Sequence, residues 1–124
     1  MIKVPLFIRR VATILALMGS LASPAASQDF VPGFEDLPLM RGLTPIPGLG
    51  HAFDSPSGRL IESHARGPLT RSLVETFYGQ SLIPLGWTLA GKGRYRREKE
   101  ILRVETLGQD GDLIVIFRLT PDSR

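Results

Sequence analysis

The sequence predicts an α+β fold in which one amphipathic helix packs on a predominantly antiparallel sheet, in the order β-β-α-β-β-β-β. Two observations carry this prediction. Residues 72–83 place apolar side chains at helical spacing, and such a stripe needs a surface to cover it. Residues 87–120 alternate in period two around short glycine-bearing segments, a pattern typical of antiparallel hairpins.

The first 27 residues have the three parts of a secretory signal peptide. Lys3, Arg9 and Arg10 form a basic start, an uncharged apolar run covers residues 11–22, and a region of small residues ends at Ser27. The apolar run is well short of the roughly 20 residues that a membrane-spanning helix needs. We therefore expect cleavage near Ser27 and a soluble periplasmic or secreted product that is not an integral membrane protein.

Charge and cysteine content exclude several function classes. The signal segment holds three of the 15 basic residues and none of the 12 acidic residues, so the remaining chain carries 12 of each. A chain without formal net charge gives no indication of nucleic-acid binding. The absence of cysteine excludes disulfides, thiolate metal sites, a cysteine nucleophile and a lipid anchor on cysteine.

Residues 28–49 form a Pro/Gly-rich N-terminal arm that is too apolar for a flexible linker. Its frequent breakers exclude a long helix or a central strand, and a single α+β domain, residues 50–124, follows it. The arm has two interpretations: it covers part of its own sheet, or it docks on a partner protein as an extended peptide. Its candidate partner-binding side chains are Phe34, Leu37, Leu39 and Met40.

The helix and the strands of the domain follow in order. Ser72 and Glu75 have the S-x-x-E spacing of a capping box. The apolar stripe consists of Leu73, Phe77 and Ser81, with Val74 and Tyr78 beside them, and Pro84 and Gly86 end the helix. The predicted strands are residues 51–54, 59–65, 87–90, 94–97, 101–107 and 113–120. The last strand is apolar on both faces, so we expect it to be central, with the helix on one face and the arm on part of the other. The predicted structural core is Phe77, Trp87, Val115 and Phe117.

His51 and His64 are the histidines of the chain, and both lie on the first predicted hairpin. Glu62 and His64 share a strand face, and His51 or Asp54 would complete a metal-ligand set. A nearby serine offers a nucleophile, but no G-x-S-x-G elbow or glycine-rich oxyanion loop accompanies it. Polar alternation on a solvated strand explains the same residues. A small metal-binding protein or hydrolase is therefore the alternative hypothesis, and no cofactor or metal is predicted.

The second hairpin carries a basic cluster of Lys92, Arg94, Arg96 and Arg97 around Tyr95. On a strand, Arg94 and Arg96 share one face and Arg97 points to the other. Arginine suits bidentate contact with phosphate or carboxylate, which predicts a partner-binding surface. In the other interpretation, neighbouring glutamates neutralise the cluster and its charges protect the sheet edge from aggregation.

Five segments, EDLPLMRGL, FDSPSGRLIE, FYGQSLIPLGW, YRREKEILRVE and VIFRLTP, together resemble small exported proteins of alphaproteobacteria to which no activity is attached. The resemblance implies an envelope location and a shared fold, and it implies no residue role. The favoured hypothesis is a non-enzymatic periplasmic protein that binds an envelope protein or an anionic envelope component. The sequence does not indicate an oligomeric state.

Overall fold

The computed structural model describes residues 29–123, which contain seven strands and one α-helix. The elements are β1 (Thr44–Pro45), β2 (His51–Ser55), β3 (Gly58–Gly67), α1 (Arg71–Ser81), β4 (Thr88–Gly91), β5 (Arg94–Arg97), β6 (Glu100–Gln109) and β7 (Asp112–Pro121). The antiparallel sheet has the order β1-β3-β7-β6-β5-β4, and β2 also pairs with β3. The α+β prediction is confirmed, and the arm adds the short strand β1. The predicted signal peptide lies outside the described residues.

Strand β7 is the centre of the sheet, between β3 and β6, as its two apolar faces predict. Side chains alternate between the faces of a strand. The inner face carries Leu113, Val115, Phe117 and Leu119, and the outer face carries Ile114, Ile116 and Arg118. The four inner-face side chains are buried in the hydrophobic core.

Helix α1 begins earlier than the capping-box pattern predicts. Its N-cap residue is Thr70, whose hydroxyl accepts a hydrogen bond from the Leu73 amide at 3.1 Å. The predicted capping box that starts at Ser72 is therefore wrong. Leu69 and Val74 occupy the two positions of a hydrophobic staple around this cap, and both pack in the inner-face core. Burial of the staple fixes where the chain enters the helix.

The buried stripe of α1 is centred on Val74 and Tyr78, which the prediction placed at one side of the stripe. Val74 and Tyr78 are buried, Phe77 is half-buried, and Leu73 is 53% exposed. Successive side chains of a helix are about 100° apart, so a stripe centred on Val74 and Tyr78 leaves Leu73 on the solvent side. Leu82 is also fully buried, and a single 3₁₀ turn over Ile83–Leu85 then ends the helical segment.

The aromatic centre of the core is Tyr78. Its ring lies edge-to-face on Phe117, with 5.2 Å between the ring centroids. Trp87 is also buried, at 5% exposure, and the Arg97 guanidinium lies 4.3 Å from the centroid of its ring. Trp87, Val115 and Phe117 are thus buried in the core, and Phe77 packs against it half-buried.

The N-terminal arm packs on its own domain. Val31, Leu37 and Leu43 are buried in the core that the helix also covers. The prediction that the arm covers the opposite face of β7 is wrong, because helix and arm share the inner face. Ile116 on the outer face is only 8% exposed because its cross-strand neighbours, His64 and Glu105, are long polar side chains.

Residues 108–112, which separate the last two predicted strands, contain only a two-residue turn, because β6 and β7 continue in register as far as Gln109 and Asp112. The turn residues are Asp110 and Gly111, a dipeptide that is a strong hairpin signal. Within residues 29–123, no helix is long and apolar enough to span a membrane.

Candidate functional site: the outer face of the sheet

Charged side chains form a row across the outer face. The register places Glu62 of β3 opposite Arg118 of β7, Arg118 opposite Arg103 of β6, and Arg103 opposite Arg94 of β5. Residues that are directly opposite in an antiparallel pair have Cα atoms about 4.5–5.5 Å apart. Three arginines therefore lie side by side, and like charges in such positions repel each other.

One end of the row is fully paired. Glu62 accepts a hydrogen bond from the Arg118 Nε at 2.9 Å, and its other carboxylate oxygen lies 2.9 Å from the His64 Nε2. The His64 contact, followed by that from Arg118, lowers the pKa of Glu62 below its usual value. Arg118 also contacts Glu105 at 3.4 Å. The charges on this part of the face thus neutralise each other.

The side chain of Arg103, in the middle of the arginine row, forms no hydrogen bond or ion pair with any residue of the described chain. Its neighbour Arg94 donates from Nη2 to the Ala90 carbonyl at 2.9 Å, while the Arg94 Nε is buried without an acceptor among residues 29–123. A buried donor without a partner costs about 1–3 kcal/mol. This pair of guanidinium groups therefore lacks the anionic partners that the other end of the face has.

Two shallow grooves meet at the Arg94 and Arg103 pair. The first has a volume of about 360 Å³ and is lined by Gly91, Lys92, Gly93, Arg94, Arg103 and Glu105. The second has a volume of about 250 Å³ and is lined by Arg94, Arg96, Ile101, Arg103, Thr120, Pro121, Asp122 and Ser123. The grooves hold four cationic and two acidic side chains, which gives this end of the outer face a positive charge. We call this surface the arginine groove.

The predicted basic cluster is divided between the two faces, as strand alternation requires. Lys92, Arg94 and Arg96 line the arginine groove. Arg96 is already paired with Asp122 at 2.8 Å. Arg97 lies on the inner side, where it donates to Asp36 of the arm at 2.6 Å and covers the Trp87 ring. Arg97 thus holds the arm to the sheet and does not line the groove.

Arg103 was not among the predicted site residues, although the turn that precedes β6 in the sequence indicates its position. Glu98 and Lys99 form a two-residue turn between β5 and β6, and Glu98 has a positive φ of 54°. A turn of that length places Arg94 opposite Arg103. The cross-strand pair follows once the turn is recognised.

The four arm side chains predicted to bind a partner lie against the core of their own domain. Leu37 is 2% exposed, and Phe34, Leu39 and Met40 are half-buried around the core. Partner binding through these side chains stays a prediction, and it would require the arm to leave the inner face.

The structure does bring the two histidines close to the same carboxylate. His51 is opposite Glu62 in the register, and His64 contacts Glu62 directly. Within residues 29–123, no group of three or more His, Cys, Asp or Glu side chains is arranged to hold a metal ion. Ser63 is buried on the inner face, away from His64. The Ser55 hydroxyl donates to the Gly58 carbonyl at 2.7 Å in the hairpin turn.

Comparison of the chain with protein-family models, with curated proteins and with solved structures gave no match. An assignment of function therefore rests on the chemistry of the outer face.

Proposed function

We propose that the chain is a small exported, non-enzymatic protein that binds an anionic component of the cell envelope in the arginine groove. The observation that supports this proposal is Arg103, whose guanidinium has no anionic partner among residues 29–123 although Arg94 and Arg118 lie directly opposite it. An arginine that lies between two other arginines destabilises the sheet through like-charge repulsion. An anionic ligand bound beside Arg103 would offset that repulsion.

The geometry favours a ligand that carries phosphate or carboxylate groups. Guanidinium groups form bidentate, charge-assisted hydrogen bonds with such oxyanions. The groove is open and shallow, so it fits a group that projects from a larger structure, such as a lipid headgroup or a wall polymer. Arg94 and Arg103 would contact the oxyanion, while Lys92 at the rim would add attraction over a longer range.

Binding to two purified envelope mimics tests the proposal. The probes are phosphatidylglycerol vesicles, which present phosphate, and peptidoglycan sacculi, which present carboxylate, with phosphatidylcholine vesicles as the neutral reference. We expect co-sedimentation with one of the anionic probes, weakened by added salt. Arg103→Gln is expected to reduce the affinity about tenfold or more, because a hydrogen bond to a charged group contributes about 1.5–3 kcal/mol.

Arg66→Gln is the matched control. Arg66 lies on the same face but already forms a bidentate ion pair with Asp112 at 2.8 Å, so its loss is expected to leave binding nearly unchanged. Arg103→Gln is also expected to keep or slightly raise the melting temperature, because it removes a like-charge contact. Equal binding by Arg103→Gln and the unmodified protein, or no binding to either anionic probe, would show that the proposal is wrong.

The envelope location is part of the proposal and rests on the signal-peptide pattern of residues 1–27. Mass spectrometry of the protein from a periplasmic extract tests it separately. We expect a mature chain that begins at or near Gln28. A membrane-bound product that keeps residues 1–27 would contradict the location without bearing on the arginine groove.

A further inference from the structure

The two edges of the sheet differ in how they are protected. Natural sheets shield their edges with bulges, prolines or lysines, since a free edge invites pairing with another chain. At the β4 edge the register shifts between Leu89 and Gly91, and the Arg94 guanidinium donates a hydrogen bond to the Ala90 carbonyl. At the other edge, β2 pairs in unbroken register with β3 and with no other strand among residues 29–123. Strand β2, HAFDS, contains no proline, lysine or arginine.

The register determines which backbone groups of β2 are free. Ser55 pairs with Gly58 across a two-residue turn, so these two residues exchange backbone hydrogen bonds. Hydrogen-bonded and non-hydrogen-bonded pairs alternate along an antiparallel ladder. Phe53 therefore also bonds to β3, whereas the amides and carbonyls of Ala52 and Asp54 point away from the sheet. Phe53 is 52% exposed, so the edge also carries an uncovered aromatic ring.

We propose that β2 pairs with β2 of a second copy of this chain, antiparallel and with the two-fold axis at Phe53. In this register Ala52 lies opposite Asp54 of the second copy, so both outward-facing residues of each strand are hydrogen-bonded. The two Phe53 rings are neighbours on the outer face. A register centred on Asp54 would instead place two carboxylates opposite each other, which is unfavourable.

Charge and size are consistent with a weak, reversible dimer. The chain after residue 27 carries 12 basic and 12 acidic residues, so two copies do not repel each other through net charge. A five-residue edge buries less than the approximately 800 Å² per partner of a standard stable interface. We therefore expect association at high protein concentration and dissociation on dilution.

A single introduced cysteine traps the pairing, because the chain has no native cysteine. Phe53→Cys would place two thiols at a non-hydrogen-bonded pair with Cα atoms about 4.5 Å apart, within the range of about 4.4–6.8 Å that a disulfide spans. Leu89→Cys is the matched control, since Leu89 lies on the opposite edge and is 60% exposed. Under mild oxidation with oxidised glutathione, we expect Phe53→Cys to form the disulfide dimer much faster than Leu89→Cys.

Ala52→Pro tests the same pairing without a cysteine. Proline removes the outward amide of Ala52 and leaves the bonds to β3 in place, so this variant is expected to fold and to remain monomeric in sedimentation equilibrium. The unmodified protein is expected to dimerise with a Kd below about 1 mM and therefore to be largely dimeric at about 1 mM. Equal trapping of the two cysteine variants, or a monomeric unmodified protein at that concentration, would overturn the proposal and leave the edge to an extended segment of another protein. Undiminished dimerisation of Ala52→Pro would place the interface elsewhere and would also overturn it.

Discussion

Replacement of Tyr78 by phenylalanine tests how the N-terminal arm is held on the core. The Tyr78 hydroxyl donates to the Pro38 carbonyl at 2.8 Å and accepts a hydrogen bond from the Met40 amide at 3.2 Å. Tyr78 is 1% exposed, and its ring contacts would survive the change. The substitution therefore removes two hydrogen bonds between helix and arm and little else.

Tyr78→Phe is expected to lower the free energy of unfolding by about 2 kcal/mol. A buried polar group that loses its partner costs about 1–3 kcal/mol; the Pro38 carbonyl is buried, while Met40 is half-buried, so water partly replaces the second bond. In a domain of this size each kcal/mol lowers the melting temperature by roughly 4–8 °C. We therefore expect Tyr78→Phe to lower it by roughly 8–16 °C.

Tyr95→Phe is the matched control for this measurement. Tyr95 is also buried, at 5% exposure, but its hydroxyl forms no hydrogen bond with residues 29–123. Its loss is expected to change the unfolding free energy by less than about 0.5 kcal/mol. Urea denaturation and hydrogen exchange at the Met40 amide, which is expected to accelerate only in Tyr78→Phe, provide the comparison. Equal destabilisation by the two variants would refute the assigned role of the Tyr78 hydroxyl.

Three further predictions concern single side chains. Burial raises the pKa of Tyr78 above the ordinary tyrosine value of 10.0, so above about pH 10 the unfolded state loses a proton that the folded state keeps. The free energy of unfolding is therefore expected to fall as the pH rises above about 10. In urea denaturation, the midpoint of Tyr78→Phe is expected to fall less steeply with pH than that of the unmodified protein. Trp87→Ala is expected to cost about 3–5 kcal/mol and to abolish or greatly weaken cooperative unfolding; water-like, freely quenched tryptophan fluorescence in the unmodified protein would contradict this burial. Glu98 has a φ of 54°, which is costly for a residue with a Cβ, so Glu98→Gly is expected to stabilise the protein by about 0.5–1 kcal/mol in thermal melts; a lower melting temperature would contradict the strain.

Much of the fold follows from local sequence patterns. The bounds predicted for β5, residues 94–97, are those of the structure, and the other five predicted strands differ only at their ends, whereas β1 was not predicted. Period-two alternation and turn residues act within a few positions of the chain, so they can be recognised without knowledge of the partner strand. The same alternation placed Arg94 and Arg97 on opposite faces.

The candidate site was only partly predictable from the sequence. Lys92, Arg94 and Arg96 are visible as a basic cluster on one hairpin, whereas Arg103 joins them only through the pairing of β5 with β6. Which of these arginines form ion pairs within the chain could not be predicted either. Arg96 and Arg97 find acidic partners in Asp122 and Asp36, which are far from them along the chain.

The sequence by itself determined the helix, the hairpins and the central position of the last strand, because backbone geometry and hydrophobic periodicity are local properties. Only the tertiary structure decided that arm and helix share the inner face, that Thr70 caps α1 and that Tyr78 joins helix to arm. These outcomes depend on which buried surfaces fit together and on which polar groups find partners across long separations. The same long-range contacts leave the outer face open and Arg103 unpaired within residues 29–123.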